Sequence, residues 1–469
     1  MPDTTSPRSS ILIAPAAASL TASLGISVAS VLLPMLTRSF SATISDVQWV
    51  VLAYLMSVTI SIVSAGRLGD LFGHRRVLHC GLILFIVASI LSALAPTLDI
   101  LVAGRALQGL GGAILIALSM SIARDLVPTE RLGTAMGLLG TTSAAGTALG
   151  PSLGGVLLTW SDWRMAFWLL AVFASVTLIL SMITIPPCPR RPNASFRELD
   201  FPGTLVLVVA LAAYALATSG RTSGIPVPPS VWMITALIAT TLFVVVEIRA
   251  VSPLVPMTLL QDRTTGTGFA MNWAIGTVMM STLVVGPFFL AFSLGLNDAL
   301  IGLVMAVGPV VAALSGVPAG RLTDRFSARR VMGLGLAQTV LGLLCLAFLP
   351  RYFGVGGYVA ALIALTPAFQ LFLAANNTMV MINAPKEQRG RLSGLLGLSR
   401  NLGLMTGASA MSSLFVALLG TGDVVLAPAA DVAYAFSMTF TAAAVLALMT
   451  FGLALYSQVH RSAEASNRI

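Results

Sequence analysis

The chain is an almost unbroken succession of apolar windows, each of about twenty residues, the length a helix needs to cross a hydrocarbon core of roughly 30 Å. Fourteen such windows can be laid along it, at 11–34, 47–66, 77–96, 98–122, 133–158, 164–186, 202–219, 230–248, 265–292, 299–319, 331–350, 356–382, 392–419 and 434–457. Only 9% of the residues are charged and 57% are hydrophobic, against about 25% charged in soluble domains. The expected class is an all-α membrane protein, because in lipid each backbone polar group has to be satisfied within its own helix. No stretch remains for a soluble catalytic domain. The windows hold no nucleophile constellation, metal cluster or phosphate loop, so no enzyme, no metal and no cofactor is expected.

The charges set the orientation. If the N-terminus is cytoplasmic, twenty basic residues fall on that side and four, Arg38, Arg164, Arg221 and Arg351, on the other. Basic residues concentrate on the cytoplasmic face of membrane proteins, so both termini are expected there, in an inner membrane. The net charge of +9 is then a topological charge and not a nucleic-acid surface. The apolar run from Ile11 is too long for a cleaved signal and reads as a retained first helix. Cys80, Cys188 and Cys345 form neither a disulfide framework nor a metal site.

An internal repeat divides the windows into halves. Gly66 to Arg76 reads GRLGDLFGHRR, and Gly320 to Arg330 reads GRLTDRFSARR, 254 positions later. Pro128 to Pro151 aligns without a gap on Pro385 to Ala408 at an offset of 257, sharing the proline, the glutamate, Gly-Leu-Leu-Gly and two later glycines. Six windows therefore match six, leaving 202–219 and 230–248 unmatched. The expected division is an N-terminal bundle over 1–186, a linker with two extra helices over 187–263, and a C-terminal bundle over 264–469. Copied halves of a membrane protein normally face each other across a pathway.

Four motifs together resemble the major facilitator superfamily, and within it the fourteen-helix drug:proton antiporter group. Gly66 to Arg76 stands where the family's loop between helices two and three stands, and Arg105-Ala-Leu-Gln108-Gly109 is similar to its fourth-helix motif. Gly146-Thr-Ala-Leu-Gly150-Pro151-Ser-Leu-Gly154-Gly155 resembles the fifth-helix antiporter signature. Trp49 with Tyr54, and Arg400-Asn401-Leu402-Gly403, fit the fourteen-helix branch. The resemblance implies the major facilitator fold: two six-helix bundles plus two extra central helices, with the bundles working by alternating access. It further implies export of hydrophobic drugs or other amphiphiles in exchange for protons. The partners expected are a small-molecule substrate, protons and the lipid bilayer; a monomer is expected, with periplasmic proteins as candidate associates.

Roles follow residue by residue. Gly66, Asp70, Gly73, Arg75 and Arg76, with Gly320, Asp324 and Arg325 in the second copy, are the expected conformational latch. Asp70 at a helix end can meet the positive N-terminus of a neighbouring helix, here near Lys386 to Arg391, in one conformer and leave it in the other. Gly146, Gly150, Pro151, Gly154 and Gly155 are expected to let the fifth helix approach a partner closely and pivot. Arg105 and Arg400 sit inside windows, where a charge costs about 2.5–3.5 kcal/mol on insertion scales, so both are expected to face a cavity, with Gln108 and Asn401 beside them. Trp49, Tyr54, Asn272, Trp273, Gln338, Gln370, Asn376 and Asn377 are the candidate substrate contacts.

One departure bears on coupling. The drug:proton branch carries an aspartate nine residues before the proline that closes helix one; counting back from Pro34, that place is Gly25. Coupling would then fall to Asp46 or Asp99 near the outer mouth, or to the substrate itself. Two alternatives follow: a facilitator or carrier of an organic anion or small metabolite, and a membrane sensor that kept the scaffold without turnover.

Overall fold

A computed structural model describes residues 12–127, 132–186, 201–218, 227–250, 263–382, 389–421 and 423–466. The described residues are helical throughout, with no strand among them. The first bundle comprises α1 (Ile13–Phe40), a one-turn α2 (Ile44–Val47), α3 (Trp49–Phe72), α4 (His74–Ala93), α5 (Leu98–Leu126), α6 (Leu132–Trp160) and α7 (Arg164–Thr184). Two further helices follow, α8 (Phe201–Thr218) and α9 (Pro229–Arg249). The second bundle comprises α10 (Arg263–Phe288), α11 (Asp298–Arg325), α12 (Ala328–Ile382), α13 (Arg389–Thr406), α14 (Ser412–Leu419) and α15 (Ala429–Ser466).

Eleven described segments are long and apolar enough to cross a membrane. One of them, Ala328–Met381, is twice the length of a crossing and is broken at Gly354, whose φ of 53° lies in the left-handed region that glycine tolerates. With that break counted as a boundary, and with α6 and the shorter α8 included, the described residues hold fourteen helical segments at the positions the hydropathy picks out. The ends carry local stop signals. Thr43 and Asp46 form a capping box at α2, and Asn297 accepts from the Leu300 backbone N–H at 2.9 Å to start α11. Inside the helices, buried hydroxyls such as Thr59 and Thr339 donate to the carbonyl four residues back, so they cost little in an apolar interior. Single π-turns follow α10 at Phe289–Ser293 and α13 at Gly407–Met411; the first comes just after Pro287, which cannot donate to the ladder.

The repeated glycine positions recur as repeated crossings. A Cβ on Gly146 or Gly150 of α6 would strike the α1 backbone around Leu20 and Val28. A Cβ on Gly403 or Gly407, the aligned positions of the second half, would strike the α10 backbone at Trp273 and Thr277. Small residues let these helix pairs approach to backbone contact, where van der Waals packing holds them in lipid.

The charged motifs are more helical than an elbow between two spans suggests. In the first copy α3 continues through Phe72 and α4 begins at His74, so the whole reversal is made at Gly73, with φ 92°. In the second, α11 runs to Arg325 and only Phe326 and Ser327 separate it from α12. The unmatched helix α8 reaches both bundles. Thr204 lies 3.4 Å, hydroxyl to hydroxyl, from Ser64 of α3; Tyr214 donates to Thr406 of α13 at 3.0 Å; and Ser413 of α14 donates to the Thr218 carbonyl.

Candidate functional site

The interior of the first bundle is organised around Arg105. A guanidinium in an apolar helix must find acceptors for five N–H groups, and α5 brings Arg105 to three of them. Nε donates to the Val50 carbonyl of α3 at 2.8 Å, Nη2 to the Gly25 carbonyl of α1 at 2.8 Å, and Nη1 to Gln108 Oε1. Gln108 passes the network on, donating to Ser89 Oγ of α4 at 2.7 Å. The guanidinium also lies 4.4 Å from the Tyr54 ring centroid, a cation–π contact, and Tyr54 donates its own hydroxyl to the Ala22 carbonyl at 2.9 Å. Arg105 has no exposed surface. Where the sequence places a cavity charge, the structure encloses a clamp that joins α1, α3 and α5 directly and α4 through Gln108; the reason is that neutral oxygens of three helices converge on it.

The position of the missing aspartate explains that arrangement. A Cβ at Gly25 would stand 3.1 Å from both the Phe85 ring and the Tyr54 hydroxyl. The space a carboxylate needs is occupied by two aromatic side chains, and Arg105 takes the main-chain carbonyl of the same residue instead.

A second feature lies between the bundles. Gly155 of α6 faces Gly302 of α11 so closely that a Cβ on Gly155 would be 2.5 Å from the Gly302 Cα, and one on Gly302 would be 2.7 Å from the Pro151 carbonyl. Beside this crossing, Arg38 at the end of α1 reaches Asp298 at the start of α11 at 3.9 Å, and its guanidinium lies 5.0 Å from the Phe292 ring centroid. Gly154 turns away, toward Val28 of α1.

The basic end is different. An added Cβ on Gly66, Gly320 or Gly397 would meet no atom within 4 Å among the described residues. Arg75 donates to the Met182 carbonyl of α7 at 2.9 Å, and His74 lies 2.7 Å from the Asp125 carboxylate at the end of α5. Arg76, Asp324 and Arg325 are exposed. The Asp70 side chain, residues 383–388 and the side chains of 389–391 lie outside the described residues, so the expected contact between Asp70 and Lys386 to Arg391 falls there too.

Arg400 is placed unlike Arg105. It stands eleven residues into α13, about 16 Å along the axis at 1.5 Å per residue. It is exposed, although it belongs to the apolar span Leu395–Leu419. Its backbone carbonyl packs on Gly276 of α10. Asn401 beside it is half-buried.

The remaining candidates scatter. Asn272 donates to the Leu396 carbonyl at 2.8 Å and Asn376 to the Gly268 carbonyl at 3.2 Å, both as buried ties between helices. Gln338 donates to the Ala364 carbonyl at 2.9 Å; Gln370 is half-buried and Asn377 exposed. Trp49 and Tyr54 are buried in the first bundle, with Tyr54 fully enclosed. Trp273 keeps an exposed face while its indole N–H donates to Thr406 at 3.1 Å. Asp46 is committed to the capping box, with its carboxylate 2.7 Å from the Thr43 hydroxyl, and Asp99 is exposed in the first turn of α5. Gly302, Thr406, Tyr214 and the Arg38–Asp298 pair were not singled out by the sequence. A glycine facing the pivot helix was the one signal available for Gly302, and nothing local marks the others.

Comparison with known proteins follows from this geometry. The family model described as Major Facilitator Superfamily matches residues 16–289 and 268–468. The Escherichia coli protein named "Uncharacterized transporter YebQ" is 30% identical over 81% of this chain and 83% of its own length. The "Multidrug resistance protein Stp" of Mycobacterium tuberculosis is 28% identical over 84% of this chain and 73% of its own. Among solved structures, a bacterial homolog to the human lysosomal transporter Spinster, in an inward-facing and occupied conformation, superposes with a TM-score of 0.69 at 14% identity, over 97% of this chain and 98% of that one. That likeness is one of fold.

Proposed function

Because the chain belongs to the major facilitator superfamily, we propose that it is a secondary active transporter of the inner membrane, both termini cytoplasmic, exporting hydrophobic or amphiphilic compounds in exchange for protons by alternating access. One observation carries the reading: the two ends of the seam between the bundles differ. At the outer end Gly155 and Gly302 are in backbone contact beside the Arg38–Asp298 pair, while an added Cβ on the motif glycines Gly66 and Gly320 at the cytoplasmic end would meet no atom within 4 Å among the described residues. A seam shut at one end and slack at the other is one of two states that a rocking pair of rigid bundles would visit. In this reading Asp70 and Asp324, with Gly73, Arg75, Arg76 and Arg325, latch the cytoplasmic end in the opposite state, and the Gly150–Pro151 helix is the pivot. Export is favoured over uptake by relatives named as multidrug resistance proteins.

The proton does not use a carboxylate at helix one, since Gly25 stands there and aromatic side chains fill the space. In this reading the exchange falls to Asp46 or Asp99 near the outer end, or to the substrate itself. The experiment is transport of a hydrophobic dye by the purified chain in liposomes, with and without an imposed pH gradient. Dye movement driven by the gradient supports exchange; equal movement under both conditions removes the coupling from the reading and leaves a facilitator.

A further inference from the structure

The two arginines inside the spans are opposites in their state of satisfaction. Arg105 is enclosed by oxygens of three helices and has no exposed surface to offer a ligand. Arg400 carries the same charge, stands about 16 Å into its helix at 1.5 Å per residue, and has neither a hydrogen-bond acceptor nor an ion-pair partner among the described residues. A cation that deep costs free energy unless an anion or a dense set of acceptors meets it.

The repeat shows how the vacancy arises. At the offset of 257, Arg400 falls on Ser143 of α6. In the first half Ser143 faces Ser23 of α1, hydroxyl to hydroxyl at 2.6 Å, a neutral pair that closes on itself. In the second half the helix facing α13 is α10, and the residue packed on the Arg400 main-chain carbonyl is Gly276, which has no side chain that could pair as Ser23 does. One half seals this crossing with two hydroxyls; the other replaces one hydroxyl with a long cation and deletes its partner. The guanidinium turns to open space on a face of α13 that also carries Gly397, one turn earlier and likewise without a neighbour.

We propose that Arg400 is the anion-recognising residue of the substrate site, and that the compounds carried are organic anions, each an apolar body bearing one carboxylate or sulfonate. The proposal rests on the transporter reading and names its substrate class. A carboxylate, or two of the three oxygens of a sulfonate, can accept two parallel N–H bonds from a guanidinium, and the apolar residues of the surrounding helices suit the body.

The test is equilibrium dialysis of the purified full chain in detergent with two probes that share one aromatic body, anilinonaphthalenesulfonate and neutral phenylnaphthylamine. The wild type is expected to bind the sulfonate about tenfold to a hundredfold tighter, the range that a charge-assisted hydrogen bond gives. In Arg400→Gln the ratio falls to about one with amine binding kept, which also shows that the variant is folded; Arg400→Lys retains part of the preference. A wild-type ratio near one, or a ratio unchanged in Arg400→Gln, overturns the proposal. Should Arg400→Gln lose both probes, Arg400→Lys decides: a retained sulfonate preference supports the assignment and an abolished one overturns it. Binding at equilibrium needs no turnover, so a chain that binds the sulfonate but fails to move it in liposomes sinks the transporter reading, and with it the statement about what is carried, while the anion-binding role of Arg400 stands.

Discussion

Arg105 donates to the main-chain carbonyl of Gly25 at 2.8 Å, across 80 residues of sequence. The bond puts a fixed charge against the one residue of α1 where relatives of the drug:proton branch are expected to hold a carboxylate. Because Tyr54 and Phe85 close around the same point, the first bundle is tied together by this arginine and offers no room there for a titrating acid.

Arg105→Ala is therefore expected to act on stability before it acts on transport. The carbonyls of Gly25 and Val50 and the Gln108 side chain would all lose their partner inside an apolar bundle, at roughly 1–3 kcal/mol for each group left unsatisfied. A sharp fall in folded yield and in melting temperature in detergent is the expected result. Arg105→Lys recovers less than half of the loss, because one ammonium cannot span three helices. An alanine variant that melts like the wild type but does not transport would assign Arg105 to the pathway instead.

Gly155→Ala is expected to slow transport about tenfold. Its new methyl would lie 2.5 Å from the Gly302 Cα, and backbone cannot step aside as a side chain can, so the bundles would have to part at the contact that closes the seam. Overpacking of this kind costs about 1–3 kcal/mol. Gly154→Ala is the control: the nearest atom its Cβ meets is in the Val28 side chain, at 3.3 Å. Equal dye efflux from the two variants would mean that the crossing is not a moving contact.

Charge reversal at the outer pair gives a smaller effect. Arg38 and Asp298 are partly exposed, with 45% and 25% of their side-chain surface open, and pairs of this kind contribute about 0–1 kcal/mol. Arg38→Glu and Asp298→Arg are each expected to change the transport rate by up to about fivefold, and the double reversal to restore most of it. Failure of the double variant to recover either single loss would show that the two residues act independently.

The hydroxyl of Thr406 is expected to matter more than that of Tyr214. Tyr214→Phe removes one donor at 3.0 Å, worth about 0.5–1.5 kcal/mol. Thr406→Val removes the acceptor that serves both Tyr214 and the Trp273 indole, so its drop in melting temperature should be clearly larger. Similar drops would show that the Trp273 bond adds nothing to what the bond from α8 contributes.

Much of the fold was legible because a helix in lipid answers to local composition. Most windows end within about four residues of the helices that form, even at 331–350 and 356–382, where one unbroken assignment runs across Gly354, while those at 11–34, 47–66, 299–319 and 434–457 stop six to nine residues short. The glycines shared by the two repeats were legible for a related reason: Gly146 with Gly403, and Gly150 with Gly407, recur because the same backbone crossing recurs. The placement of the charged candidates was not legible in the same way. Arg105 and Arg400 look alike along the chain, each an arginine several residues inside a span, yet one is enclosed and the other open. Asp46 looked like a carboxylate at a cavity mouth and serves as half of a capping box.

By itself the sequence determined that this chain is helical, that it crosses a membrane many times and that it was built by copying one bundle, since each of these follows from hydropathy, charge bias and repeat spacing along a single strand of residues. Tertiary structure alone decided which charge is satisfied, which glycine touches which, and which helix straps the seam. The physical reason is that a backbone in lipid closes its hydrogen bonds four residues away, within reach of the local sequence. A guanidinium finds its acceptors on other helices, 55 and 80 residues away for the Val50 and Gly25 carbonyls, and only packing chooses which helices those are.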